Sequence, residues 1–158
     1  MNTETGDLLG VTEGILVHGC NAQGKMGSGV AKAIRARYPE AYRRYMEAYA
    51  DPRGLVLGRV VWAKVQDDPL LAVANGITQE FYGNVPGVCH VSYAAIREVF
   101  RKVGDVARSR GLAVHYPMIG AGLGGGDWDV IRPIIEEELA GVDHRLWVPG
   151  RRPGSPSP

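Results

Sequence analysis

The stretch HGCNAQGKMGSGVAKAI, residues 18–34, decides how this chain is read. Gly19, Gly24 and Lys25 fit the G-x-x-x-x-G-K spacing of a nucleoside-triphosphate phosphate loop, but Met26 stands where such a loop carries a magnesium-binding hydroxyl. A phosphate loop also enters its helix directly after the lysine, whereas here Met26, Gly27, Ser28 and Gly29 come before helical spacing begins. The dinucleotide fingerprint G-x-G-x-x-G fails as well, because residues 24–29 run G-x-x-G-x-G. Only Asp67, after VVWAKVQ, ends an apolar run as a magnesium-binding acid would. What survives is a glycine-rich loop between a strand and a helix, a place where main-chain N–H groups and the helix's positive end can meet an anion.

Working outward, GILVHGC (14–20) reads as a buried strand, and VAKAIRARY (30–38) switches to helical spacing through Val30, Ile34 and Tyr38. Pro39 suits a first helical turn, and EAYRRYMEAY then continues as a helix with Tyr42, Tyr45, Met46 and Tyr49 on its inner side. RVVWAKV (59–65) and LLAVANGI (70–77) are strands joined by the turn QDDP. Ser92 caps a long helix whose Ile96, Val99, Phe100, Val103, Val106 and Ala107 keep i, i+3, i+4, i+7 order. LAVHYPMI (112–119) is a further strand, WDVIRPIIEEEL (128–139) a helix that Pro133 should kink, and HRLWVP (144–149) a last strand. The alternation predicts one α/β domain over 1–149, with helices on both faces of a mixed sheet, and a disordered tail GRRPGSPSP (150–158).

Composition narrows the chemistry. The 158 residues carry a net charge of +1, which argues against a protein that lives on nucleic-acid electrostatics. Arg43-Arg44 and Arg151-Arg152 read as solvated helix face and tail. Cys20 and Cys89 have no C-x-x-C partner and no histidine cluster at metal spacing, so neither a disulfide framework nor a zinc site is expected. Reduced thiols, and the lack of a signal peptide or membrane-length apolar run, point to a cytoplasmic protein with no membrane association.

The abnormal figure is glycine, at 22 residues, concentrated in residues 18–34 and in a second loop, GAGLGGGDW (120–128). Both loops leave the carboxyl ends of strands, where ligands of α/β sheets lie. Together they can hold the two sides of a diphosphate through backbone dipoles, with no metal required. The glycines at 122, 124, 125 and 126 let amides reach phosphate oxygens that a side chain would obstruct.

With these loops in hand, TGDLL (5–9), ILVHGCNAQGKMGSGVAKAI (15–34) and YPMIGAGLGGGDW (116–128) resemble the macro domain family, which binds ADP-ribose. The likeness runs from about residue 3 to 148 and is greater to the branch holding ADP-ribose 1''-phosphate phosphatases and terminal ADP-ribose glycohydrolases. The resemblance implies a three-layer α/β/α fold with a mixed central sheet. Its ligand would be ADP-ribose or a derivative, with ADP-ribosylated macromolecules as further candidate partners. It implies no cofactor and no metal, and the protein is expected to be a monomer. Carried over, the adenine amino group falls to Asp7, with Leu8 beside it, and the distal ribose to Asn21. Gly27, Ser28, Gly29 and Val30 match the first diphosphate loop. Gly120, Ala121, Gly122, Leu123, Gly124 and Gly125 match the second. Asp7 as a plain turn residue is the competing reading.

Glycohydrolase members of the family use a lysine after a GIT-like segment and an aspartate in the second loop. Here Gln79 and Glu80 follow GIT, and Gly124 stands at the aspartate position, which excludes a lysyl intermediate of that kind. A phosphatase needs less: a polar group near the distal ribose to orient water and a cation to offset phosphate charge. The catalytic candidates are Asn21, Lys25 for a terminal phosphate (or else a plain exposed loop lysine), and Glu80 as general base if the fold brings it to the pocket; otherwise Glu80 is a surface acid. Tyr82 and Phe81 would stack on adenine or line the ribose, with core packing the competing reading for both and the stronger one for Phe81. Asp127 is expected to cap the last helix, and His18 to be a core histidine. His90 and Cys89 receive no chemistry. The expected function is therefore ADP-ribose binding with phosphatase activity on ADP-ribose 1''-phosphate. Three alternatives stand beside it: a catalytically silent reader, a de-ADP-ribosylating hydrolase using a water held by Asn21, and an unrelated nucleoside triphosphatase.

Overall fold

In the computed structural model, which describes residues 1–82, 88–122 and 124–150, the elements run β1 (Asn2–Thr5), β2 (Gly14–Asn21), α1 (Gly29–Arg37), α2 (Pro39–Ala50), β3 (Val60–Gln66), β4 (Leu71–Gln79), α3 (Tyr93–Arg110), β5 (Val114–Tyr116), α4 (Trp128–Glu138) and β6 (His144–Val148). A short 3-10 turn covers Leu8–Gly10. Leu123 and the expected tail from 151 onward lie outside the described residues.

β2 is the central strand because its residues 14–18 are buried on both faces. Alternate side chains divide between two apolar layers, as the period of a strand requires. Ile15 and Val17 join Ala74, Ile96, Phe100, Ile131 and Ile135 on the side of α3 and α4. Leu16 joins Ile34, Ala41 and Val73 on the side of α1 and α2. The six strands are ordered β1-β6-β5-β2-β4-β3, all neighbours parallel except β3, which runs antiparallel to β4 at the edge. This is the expected α/β/α sandwich with a mixed sheet.

Local rules account for most boundaries. Ser92 Oγ accepts from Ala95 N at 3.1 Å, and Asp127 Oδ1 from Asp129 N at 2.9 Å, so each caps its helix. α3 buries Ile96, Val99, Phe100, Val103 and Ala107, while Val106 is only half-buried at its margin. α4 runs through Pro133 from Trp128 to Glu138.

Three expectations need correction. β5 covers only Val114–Tyr116, because Pro117 has no N–H to extend the ladder. Tyr49 is exposed rather than inward: its ring lies over Gly24, and α2 instead buries Ala41, Tyr45 and Ala48. β1 is a strand that no apolar pattern announced; Asn2–Thr5 pairs with Arg145–Val148 at the sheet edge.

The connections set the site. From β2 the chain crosses to β4 on one side, and from β5 it crosses through α4 to β6 on the other. The crevice outside the carboxyl ends of β2 and β5 is therefore a topological switch point, and both glycine loops leave from it.

Candidate functional site

The first loop is held by Asn21, at a bulge where β2 shifts register against β4. Its Oδ1 accepts from Gln23 N at 2.9 Å, Lys25 N at 3.3 Å and the Tyr45 hydroxyl at 3.1 Å, and its Nδ2 donates to Lys25 O at 2.8 Å. The carboxamide oxygen is thus spent on the loop itself, and of its donor and acceptor groups only an N–H remains for a ribose hydroxyl. Met26 is buried with Cys20, Tyr45 and Ile77. The position that would hold a magnesium hydroxyl in a phosphate loop is here an apolar anchor. Beyond it, Gly29 takes φ of 59°, a conformation glycine adopts at no steric cost, and turns the chain into α1. Ser28 is the N-cap residue but makes no side-chain cap bond. The amides of the first turn have no carbonyl ahead of them in the helix, and Gly29, Val30 and Ala31 line the smaller cavity.

The second loop closes on itself. Gly126 N donates to Gly120 O at 2.7 Å and Gly125 N to Gly122 O at 3.1 Å. Those two amides, expected to reach phosphate, are used within the loop, whereas the Gly122 and Gly124 amides meet no backbone carbonyl among the described residues. Gly124 O accepts from His90 N at 2.8 Å, which ties the loop to the chain entering α3. At Gly120, with φ of 77°, a Cβ would stand 2.9 Å from Val91 and 3.2 Å from both Ile96 and Ile131. Only glycine fits that corner.

Two adjoining cavities occupy the crevice. The larger, about 840 Å³, is lined by Asp7, Leu8, Leu9, Trp147 and Ala121 among others. The smaller, about 290 Å³, is lined by Asn21, Lys25, Ser28, Gly29, Gln79, Tyr82, Gly120 and Gly124 among others. Val30, Pro117, Met118 and Gly122 line both and mark where they join. A third hollow, of about 710 Å³, lies by Gly14 and Gly111 at the opposite ends of the strands, away from both loops.

Asp7 combines its two readings: Oδ1 accepts from Leu9 N at 2.9 Å, capping the 3-10 turn, while the residue also lines the larger cavity. Gly27, Gly125 and Glu80 line neither cavity among the described residues, and Leu123 lies outside the description. The Glu80 side chain is exposed, and its carbonyl accepts from Gln23 Nε2 at 3.0 Å, so the base role finds no geometric support. Phe81 is 60% exposed, which removes the core-packing reading. Tyr82 lines the smaller cavity, apart from Asp7, which fits contact with the distal ribose better than stacking on adenine.

Among the lining residues that the sequence reading did not assign to the site are Trp147 and Gln79, the latter noted only as following GIT. Trp147 Nε1 donates to His115 Nδ1 at 2.9 Å, and its ring lies 3.4 Å from where a Gly6 Cβ would stand, walling the larger cavity. Gln79 sits between the two loops. An aromatic residue at the end of the last strand and a polar residue ending β4 were the available signals, but their reach depends on strands distant in sequence.

Charge in the smaller cavity is sparse. Its described lining includes one lysine, Lys25, and no carboxylate. His18 Nε2 meets Asn75 Oδ1 at 2.6 Å, and Asn75 Nδ2 donates to Ala41 O and Val61 O, both at 3.1 Å. Burial outweighs the Asn75 bond and pulls the His18 pKa down to about 4, so the ring is neutral at pH 7. Burial also pushes the Cys20 thiol well above its ordinary range. These are satisfied core groups, as expected for His18. Among the described residues no three His, Cys, Asp or Glu side chains cluster to hold a metal ion.

Known proteins share this sequence pattern and fold. The Macro domain family model matches residues 17–135. An ADP-ribose 1''-phosphate phosphatase of Candida albicans is 28% identical over 127 residues, 78% of this chain and 80% of its own. A macrodomain protein of Streptomyces coelicolor superposes with a TM-score of 0.72 at 29% identity, covering 93% of this chain and 97% of that one. Thermosipho africanus DarTG, solved in complex with ADP-ribose, superposes with a TM-score of 0.76 at 20% identity, covering 94% of this chain and 42% of that protein.

Proposed function

We propose, from the premise that this chain belongs to the macro domain family, that it binds ADP-ribose and removes the terminal phosphate of ADP-ribose 1''-phosphate. The observation that carries the reading is that both glycine loops line one joined crevice, whose smaller end holds Lys25 and no described carboxylate. In this reading adenosine occupies the larger cavity between Asp7 and Trp147. The diphosphate crosses at Val30 and Gly122, between the α1 N-terminus and the second loop. The distal ribose and its phosphate fill the smaller cavity. The resemblance to a Candida albicans ADP-ribose 1''-phosphate phosphatase supports the same substrate.

Phosphate monoester hydrolysis passes through a loose transition state that asks more for positioning and charge than for a strong base. Lys25 offsets the charge on the transferred group. The remaining Asn21 N–H and the loop amides orient substrate, water attacks phosphorus, and the P–O bond to the distal ribose breaks as a proton of that water passes to the departing ribose oxygen, giving ADP-ribose and inorganic phosphate. The placement of Glu80 outside the cavities favours a second reading, a silent reader of ADP-ribose.

Calorimetric titration with ADP-ribose and with ATP, each with and without magnesium, tests the ligand. Metal-independent ADP-ribose binding is expected, and magnesium-dependent ATP binding alone would overturn it. Phosphate release from ADP-ribose 1''-phosphate then separates enzyme from reader.

A further inference from the structure

The geometry points to Gln79 as the residue that sets which terminal group the smaller cavity accepts: an uncharged acceptor that admits an anion on the distal ribose. This rests on the ADP-ribose reading above and deepens it.

Gln79 ends β4 and is fastened on several sides. Its carbonyl accepts from Ala22 N at 2.9 Å, joining it to the first loop, and it bridges to Val91. Its side-chain Nε2 donates to Phe81 O at 2.6 Å. That bond orients the carboxamide and leaves Oε1 turned toward the second loop, 3.0 Å from where a Cβ on Gly124 would stand. Gly124 leaves this space open, and both residues line the smaller cavity.

The pairing has a chemical consequence. A carboxylate at this point would accept from a ribose hydroxyl or a water as well as an amide does, but it would repel a terminal phosphate. The amide oxygen accepts without that repulsion, so the one described charged side chain lining the cavity, Lys25, acts on the anion unopposed. The cavity is suited to ADP-ribose derivatives that carry an anionic group at the distal ribose.

The test measures binding of two ligands, ADP-ribose and a 1''-methylenephosphonate analogue that cannot be hydrolysed, to wild type, Q79E and Q79L. Wild type should prefer the phosphonate. Q79E cannot donate to Phe81 O and should weaken both ligands, but it should weaken the phosphonate by roughly tenfold more than ADP-ribose. That excess loss should shrink as pH falls from about 6 toward about 4, where the introduced carboxyl takes up a proton. Q79L should weaken both ligands alike and keep the preference. If Q79E loses both ligands equally, or neither, Gln79 does not set specificity even though ADP-ribose binding stands. A wild type that fails to bind ADP-ribose overturns the binding reading and this inference together.

Discussion

Asn21 grips the Lys25 peptide from both sides: its Oδ1 accepts from Lys25 N at 3.3 Å and its Nδ2 donates to Lys25 O at 2.8 Å. The first loop therefore depends on a side chain assigned to the ligand by resemblance. Asn21→Ala removes these bonds together with that to Gln23 N and should cost about 1–3 kcal/mol of stability, while the Tyr45 hydroxyl keeps its bond to the main-chain oxygen of residue 21 at 2.6 Å. Affinity for ADP-ribose should fall as well, because Lys25 and the α1 entrance lose their support. Urea unfolding and calorimetry on the same variant check both. Full stability with lost binding would mean that Asn21 serves the ligand alone.

Lys25 itself is exposed and makes no ion pair among the described residues, so its removal has little structural cost. Lys25→Ala should leave the melting temperature and ADP-ribose affinity nearly unchanged. It should lower kcat/KM for ADP-ribose 1''-phosphate by roughly tenfold, with a reduced sensitivity to salt. Equal losses for both ligands would place the ammonium at the diphosphate instead.

Legibility followed sequence distance. The i, i+3, i+4 order of α3 and the caps at Ser92 and Asp127 are local, and they were read correctly. β1 was missed because Asn2–Thr5 offers no apolar alternation; it becomes a strand only through its register with β6. Tyr49 kept the spacing of an inner residue, yet its ring lies over Gly24 in a loop 25 positions earlier. The site divides in the same way. The two glycine loops were visible in the sequence, while the Asn21 oxygen is committed by Gln23 N and Lys25 N, which spacing alone does not reveal, and by Tyr45, 24 residues away. Gln79 and Trp147 acquire their surroundings from neighbouring strands.

The two kinds of glycine in the second loop should separate in a paired experiment. Gly122 lines both cavities, and a Cβ there meets nothing within 4 Å. Gly122→Val should fold with nearly unchanged stability and lose ADP-ribose affinity, because the added methyls stand over the diphosphate crossing. Gly120→Val must place a branched side chain at φ of 77° against Val91, Ile96 and Ile131, and should cost about 2 kcal/mol or more. Should Gly122→Val bind normally, the diphosphate does not cross at this loop.

Acid should destabilise the fold through His18, and the sign follows from its lowered pKa of about 4. Above about pH 6.5 the ring is neutral whether folded or unfolded, and its contribution is complete. As pH falls from there to about 4, the unfolded chain takes up a proton that the buried ring refuses. Stability therefore declines through that window, by about 3 kcal/mol, and this group causes no further loss below it. His115 and His144 are lowered by burial too, and they add to the decline in the same direction. Urea unfolding of wild type and His18→Gln across the window isolates the central ring, because a glutamine amide can still donate toward Asn75 Oδ1 without titrating. The wild-type curve should fall more steeply with acid than the variant's. Parallel curves would mean that His18 is protonated as readily in the folded protein as in the unfolded chain.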